Sequence, residues 1–164
     1  MTGKDAIKNA LTSTQGYVAM YLGDFTDAEL LVRPVSGANH IAWQLGHIIL
    51  GEIGMVGSQV PDAKFPELPA GFAEAHDAKN AAGDGPAGFL TKAEYLALFD
   101  KARAATVAAL ATLTDADLDR PTTGSVAAYA PTFGALFQIA SDHTMMHAGQ
   151  FTVVRRKLGK PIVF

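Results

Sequence analysis

Cysteine is absent from this 164-residue chain. Its absence excludes a disulfide framework, a thiolate metal ligand and a cysteine nucleophile. Any chemistry that requires a thiol would therefore need one from a second molecule.

Long apolar runs and an excess of either charge are also absent. No run reaches the ~18 apolar residues of a membrane-spanning helix, and the first residues lack the continuous apolar core of a signal peptide. Thirteen Lys and Arg residues stand against 16 Asp and Glu residues, so the net charge is −3. This balance offers no basic surface of the kind that binds nucleic acid. We expect a soluble cytoplasmic protein with neither a nucleic-acid nor a membrane partner.

The length suits one domain spanning residues 1–164, which would bury roughly 68–70% of its unfolded surface. Alanine is abundant and apolar residues recur every three or four positions, so helices are favoured over strands. Four segments combine this spacing with capping residues at their ends. We predict an all-α four-helix bundle. Its helices are expected over Asp5 to about Leu22, Asn39 (as the cap) to about Gly57, Thr91 to Leu113, and Thr132 to Gly159.

Glycine and proline mark two further features of the predicted bundle. The second helix contains Gly46, Gly51 and Gly54, each of which costs up to about 1 kcal/mol relative to alanine. Close approach by a neighbouring element would explain why a helix contains them. The stretch Gly57 to Leu90 has no clear periodicity and many prolines and glycines. A loop of that length in a compact domain is usually functional or mobile.

Two histidines near the C-terminus form the strongest functional pattern. The segment DHTMMHAGQ places His143 and His147 one helical turn apart, so both imidazoles leave the same helix face and can bind one metal ion. Both lie on the apolar stripe that this helix would bury. The best candidate for a third ligand is His47, in the apolar segment WQLGH of the second helix. Three neutral imidazoles suit zinc or nickel and leave a coordination position for water or a substrate. The alternative is that the three are core or surface histidines with ordinary hydrogen-bond partners.

The neighbouring polar residues have both structural and functional interpretations. His40 and His76 are assigned to ordinary structural roles, and Trp43 to core packing with a pocket wall as the alternative. Gln44 and Gln150 are the best-placed hydrogen-bond partners for the ligands, although bonds within the bundle are an equally good explanation. Asp142 lies about 100° around the helix from His143 and is poorly placed to orient that ring.

Four segments of the chain form a recognisable set: IAWQLGHI (Ile41 to Ile48), DHTMMHAGQF (Asp142 to Phe151), RRKLGKP (Arg155 to Pro161) and DAELLVRP (Asp27 to Pro34). With these segments and the helix order, nearly the whole chain resembles the DinB-like superfamily of four-helix metal-binding proteins. The resemblance implies that His47, His143 and His147 bind one divalent metal. It also implies an up-down-down-up bundle with a long crossover between helices two and three, and pairing as a homodimer. The sequence departs from the family at Ala148, where many members have arginine, which puts a shared substrate in doubt.

The family resemblance favours a metal-dependent thiol S-transferase or a related detoxification enzyme. Similar proteins include mycothiol-dependent maleylpyruvate isomerase and bacillithiol S-transferases, so a low-molecular-weight thiol is the expected small-molecule partner. One alternative is a metal-dependent hydrolase, for which Asp142 and Glu52 are the candidate general bases. Another is a non-catalytic stress or binding protein whose structural metal takes a fourth protein ligand such as His40. The sequence assigns no catalytic residue.

Overall fold

Four long helices account for most of the computed structural model, which describes residues 1–82 and 88–163. A fifth helix, α3, is a single turn in the connection between the second and third long helices. The described residues contain no β-strand, and the prediction of an all-α fold is confirmed. Gly83, Gly85 and Pro86 of the predicted irregular stretch lie outside the described residues. The helices are α1 (Gly3–Leu22), α2 (Ile41–Gln59), α3 (Phe72–Ala75), α4 (Lys92–Ala111) and α5 (Phe133–Lys157).

Contacts at the helix ends establish the direction of each helix. Lys4, in the first turn of α1, donates from Nζ to the carbonyl oxygen of Leu113 just beyond α4, at 2.6 Å. These two helices are therefore antiparallel. Arg155, near the end of α5, donates from Nη1 to the carbonyl oxygen of Tyr21 near the end of α1, at 2.8 Å. Helices α1 and α5 therefore run in the same direction.

Helix α2 runs opposite to α5. Gln59, its last residue, donates from Nε2 to the carbonyl oxygen of Thr123, which precedes α5, at 3.2 Å. Helices α1 and α2 each pack between α4 and α5. The bundle is thus up-down-down-up, with the long crossover between α2 and α4, as the family resemblance implies.

The start of α2 differs from the prediction. His40, and not Asn39, has the extended backbone of a cap, and its Nδ1 accepts the backbone N–H of Trp43 at 3.1 Å. The carbonyl of Asn39 instead accepts from the side-chain amide of Gln44 at 2.8 Å. The prediction of Asn39 as the cap is wrong because an imidazole nitrogen fills the role that an asparagine oxygen usually has.

A layer of buried polar residues divides the core into two apolar clusters. One cluster includes Leu45, Tyr95 and Phe151, and the other includes Leu136 and Phe137. Each long helix contributes to the layer between them. On every one of these helices the buried polar residues of this layer lie between an apolar residue of one cluster and an apolar residue of the other. We call this set the polar layer; its members are Thr14, Glu52, Arg103, Thr106, Ser141 and Thr144.

No helix in the described part of the chain combines the length and apolarity that a membrane crossing requires.

Candidate metal centre

Three histidines meet where α2 packs against α5. His143 and His147 project from successive turns of α5, and His47 faces them from α2. One nitrogen atom from each ring lies within 4.8 Å of the others. Nε2 of His143 and Nε2 of His147 are 3.1 Å apart. The structure therefore brings together all three residues that the sequence singles out as metal ligands.

The spacing of the two nitrogen atoms on α5 fits a single metal ion, and a His47 nitrogen lies within 4.8 Å of both. Two ligands of a tetrahedral zinc ion, each 2.0–2.1 Å from the metal, lie about 3.3 Å apart. The 3.1 Å separation between His143 and His147 is close to that value. The centroid of the His47 ring is 5.0 Å from that of His143 and 5.2 Å from that of His147. All three side chains are half-buried, and none is sealed in the core.

Burial keeps the three imidazoles in the form that binds metals. It lowers the pKa of His143 to about 4. It also lowers the pKa of His147 to about 4, with smaller effects from the charges of His143 and His47. Burial lowers the pKa of His47 as well. The rings are therefore neutral near pH 7, and protons do not compete there with a metal ion for the nitrogen lone pairs.

Gln44 fixes which nitrogen of His147 is available. Its Nε2 donates to the carbonyl of Asn39, so its Oε1 must be the atom that faces the imidazole. Nδ1–H of His147 donates to this oxygen at 2.9 Å, which leaves the Nε2 lone pair facing His143. Gln44 thus makes a hydrogen bond to a candidate ligand, as predicted. Gln150, the other predicted partner, is exposed and makes no hydrogen bond to the described imidazoles.

Trp43 is both a core residue and a wall of the site. Its indole is buried and stacks on the imidazole of His47, with ring centroids 4.8 Å apart and planes inclined by 12°. The indole Nε1–H is buried without a hydrogen-bond partner among the described residues. The stacking restricts rotation of the His47 ring, so Trp43 helps to hold this imidazole in its orientation.

Two glycines of α2 allow neighbouring imidazoles to approach, as the sequence predicts. A Cβ atom on Gly51 would lie 3.2 Å from Cε1 of His143, and one on Gly46 would lie 2.0 Å from Cδ2 of His76. Gly54 is exposed and has no neighbour within 4 Å, so the same explanation does not apply to it.

The remaining histidines have structural roles, as predicted. His40 caps α2 through Nδ1, and its ring edge meets Phe89. His76 is buried, and its Nδ1–H donates to the carbonyl of Phe72 at 2.7 Å. Its Nε2 therefore accepts the hydroxyl of Tyr95, also at 2.7 Å. Burial lowers the pKa of His76 and raises the pKa of Tyr95.

Neither candidate general base faces the three imidazoles. The Glu52 carboxylate is buried against Arg103, with Oε2 2.8 Å from Nη2. Asp142 is exposed and accepts from Nε2 of Gln138 at 2.8 Å, so it does not orient His143. Arg103 was not identified from the sequence as a functional candidate. The sequence pattern that could have identified Arg103 is its position on the buried face of α4, where it lies three residues before Thr106, another buried residue.

Comparisons with known proteins support this description. The family model that matches residues 10–151 is described as the DinB superfamily. The crystal structure of a conserved protein from Enterococcus faecalis aligns with a TM-score of 0.72 at 16% sequence identity, covering 98% of this chain and 99% of that chain. At this identity the likeness establishes a shared fold alone. No curated protein matches the chain in sequence.

Proposed function

Since the chain belongs to the DinB superfamily, we propose that it binds one divalent metal ion and acts as a thiol S-transferase or a related detoxification enzyme. The ligands in this proposal are His47, His143 and His147. The observation that carries it is the convergence of three neutral imidazoles, one of them oriented by Gln44. This donor set suits zinc or nickel.

The lack of cysteine determines where the sulfur comes from. A dication held by three neutral imidazoles would lower the pKa of a bound thiol and present it as a thiolate. The thiol must belong to a low-molecular-weight cosubstrate, because the chain contains none. The protein's own part is to keep the imidazoles deprotonated by burial and to hold their rings through Gln44 and Trp43. We propose a cytoplasmic protein, and pairing as a homodimer stays a prediction.

The two alternative functions each lack a feature that they need. A hydrolase requires a general base beside the metal, but Glu52 is paired with Arg103 and Asp142 is exposed. A closed structural site requires a fourth protein ligand, but the group of possible ligands found in the described residues consists of the three histidines. His40 accepts the N–H of Trp43 at Nδ1, so the proton of its neutral ring lies on Nε2. The arrangement of these residues therefore favours a site that takes an external ligand.

The proposal is tested by conjugation assays with a model electrophile and several low-molecular-weight thiols. We expect turnover by zinc- or nickel-loaded protein, loss of turnover after chelation, recovery after reloading, and no turnover by His143→Ala. An equal rate in the His143→Ala protein would contradict the assignment of these residues. Hydrolysis of ester or amide substrates without a thiol, dependent on the same histidines, would replace the transferase with a hydrolase.

A further inference from the structure

Arg103 contacts every other long helix of the bundle from the centre of the polar layer. Its Nη1 donates to the carbonyl of Leu11 at 2.8 Å and to Oγ1 of Thr14 at 3.1 Å, both on α1. Its Nη2 donates to Oε2 of Glu52 on α2 and to Oγ1 of Thr144 on α5, each at 2.8 Å. One nitrogen atom of a rigid guanidinium therefore links α2 directly to α5.

This link lies next to His143 on both helices. Glu52 follows Gly51, where a Cβ atom would lie 3.2 Å from Cε1 of His143. Thr144 follows His143 in the sequence. The turns of α2 and α5 that meet at Arg103 are thus the turns that meet at His143.

The register between α2 and α5 controls whether the three imidazoles can share one ion. His47 belongs to α2, and the other two ligands belong to α5, so a slide of one helix along the other changes only the distances to His47. A one-residue slide is about 1.5 Å, which exceeds the tolerance of a metal–nitrogen bond of about 0.2 Å. Such a slide would also separate Glu52 from Thr144, and Nη2 could no longer bond to both.

Stability alone is a poor explanation for this buried ion pair. Both side chains are about 1% exposed, and burial works against the charged form of each: it raises the pKa of Glu52 and lowers the pKa of Arg103. Replacing such a pair with apolar residues is often neutral or stabilising, whereas fixing the register of packed helices is its best-attested role. The fixed fork of the guanidinium suits that role because its donors have defined directions.

We propose that Arg103 is a positioning residue that holds α2 and α5 in the register at which His47 meets His143 and His147. It thereby sets the affinity and geometry of the metal site without contacting the metal. This inference rests on the proposed metal binding.

Thr144 allows a test that leaves the charge pair intact. Thr144→Val keeps the side-chain shape but removes the oxygen that accepts from Arg103, and Thr144→Ser keeps that oxygen. Val126→Ala is the stability control, because Val126 is buried in the apolar cluster with Leu136 and Phe137. The readouts are the zinc dissociation constant by competition with a chromophoric chelator, the absorption spectrum of the cobalt-substituted protein, and urea unfolding.

We expect Thr144→Val to weaken zinc binding by about tenfold and to change the cobalt spectrum, since residues that orient metal ligands typically have effects of 10–100-fold. Thr144→Ser and Val126→Ala should bind zinc with the wild-type dissociation constant. Val126→Ala should nevertheless unfold at a lower urea concentration than the wild type. If Thr144→Val does not fold, the double variant Glu52→Leu/Arg103→Met, which removes both buried charges and the link together, replaces it with the same expected result. Wild-type affinity and spectrum in the folded variant would overturn the inference while metal binding stands. Absence of zinc binding by the wild type would overturn both proposals.

Discussion

At the residue scale, the hydrogen bond from His147 to Gln44 decides which imidazole nitrogen can bind a metal. Nδ1 carries the proton that Gln44 accepts, so the lone pair that can bind a metal is the one on Nε2, which faces His143. The amide cannot rotate to offer its NH₂ group instead, because that group donates to the carbonyl of Asn39. A single glutamine thus sets both the tautomer and the orientation of one proposed ligand.

Gln44→Leu should weaken zinc binding by about 10–100-fold, because the ring of His147 loses the partner that fixes its tautomer. Gln150→Leu is the matched control: it removes an exposed glutamine from α5 and should leave the zinc dissociation constant unchanged. Both constants can be measured by competition with a chromophoric chelator. Equal zinc affinities for the two variants would show that the bond to Gln44 has no influence on the site.

The sequence did not distinguish between these two glutamines. Both lie three residues from a candidate ligand, so spacing alone makes them equivalent. Gln44 faces α5 because it sits on the buried side of α2, whereas Gln150 points to solvent. That difference depends on how the two helices are rotated against each other, which is a property of the packed bundle.

At the element scale, two glycines of α2 lie where histidine rings from other parts of the chain pack against the helix. The ring of His76, which follows α3, occupies the space that a side chain on Gly46 would need. His76 is held there by bonds to Phe72 and Tyr95. The crossover is thereby attached to α2 one residue before His47.

Gly46→Ala should lower the free energy of unfolding by about 2–3 kcal/mol, because its Cβ would overlap the His76 ring in a packed interior. Gly16→Ala is the matched control on the exposed side of α1, where the added Cβ atom would meet no neighbouring side chain within 4 Å. This change should raise the free energy of unfolding by up to about 1 kcal/mol. Urea denaturation measures both changes. In a His76→Ala background the cost of Gly46→Ala should shrink, and an undiminished cost would contradict the steric explanation.

The helices themselves were largely predictable, but the contacts between them were not. Thr91 and Glu94 form a reciprocal capping box at the start of α4, and short-range spacing was sufficient to place that helix. The cap of α2 was misassigned because Asn39 and His40 are adjacent and the usual ranking of caps favours asparagine. The bonds of Arg103 join positions far apart in the sequence, and no local pattern encodes which helices become neighbours.

At the scale of the whole molecule, the topology brings His47 to a pair of histidines about a hundred residues later. The spacing of four residues predicted that His143 and His147 share a face. Their meeting with His47 depends on α2 running antiparallel to α5. The hydrogen bond from Gln59, at the end of α2, to Thr123, which precedes α5, establishes this direction. The bundle also places all three rings in partial burial, which determines their protonation.

The stability of the metal-free protein should fall as the pH drops from about 6.5 toward 4. An unfolded histidine takes up a proton near pH 6.5, whereas His143 and His147 in the fold do so only near pH 4. Between these values the unfolded state binds more protons, so the free energy of unfolding decreases, by at most about 1.4 kcal/mol per pH unit for each ring.

Urea unfolding of the metal-free protein at several values between pH 7 and pH 5 measures this slope. The double variant His143→Gln/His147→Gln has neither titrating ring and should show a shallower dependence on pH. The same slope in both proteins would mean that burial of these two imidazoles does not affect acid stability.

The most direct test of the account is the metal content of tag-free protein by elemental analysis, with wild type beside His147→Ala after dialysis without chelator. We expect close to one equivalent of zinc or nickel in the wild type and its loss in a variant that remains folded. A folded wild type without metal, or a variant that retains the full equivalent, would contradict the assignment of His47, His143 and His147 as a metal centre.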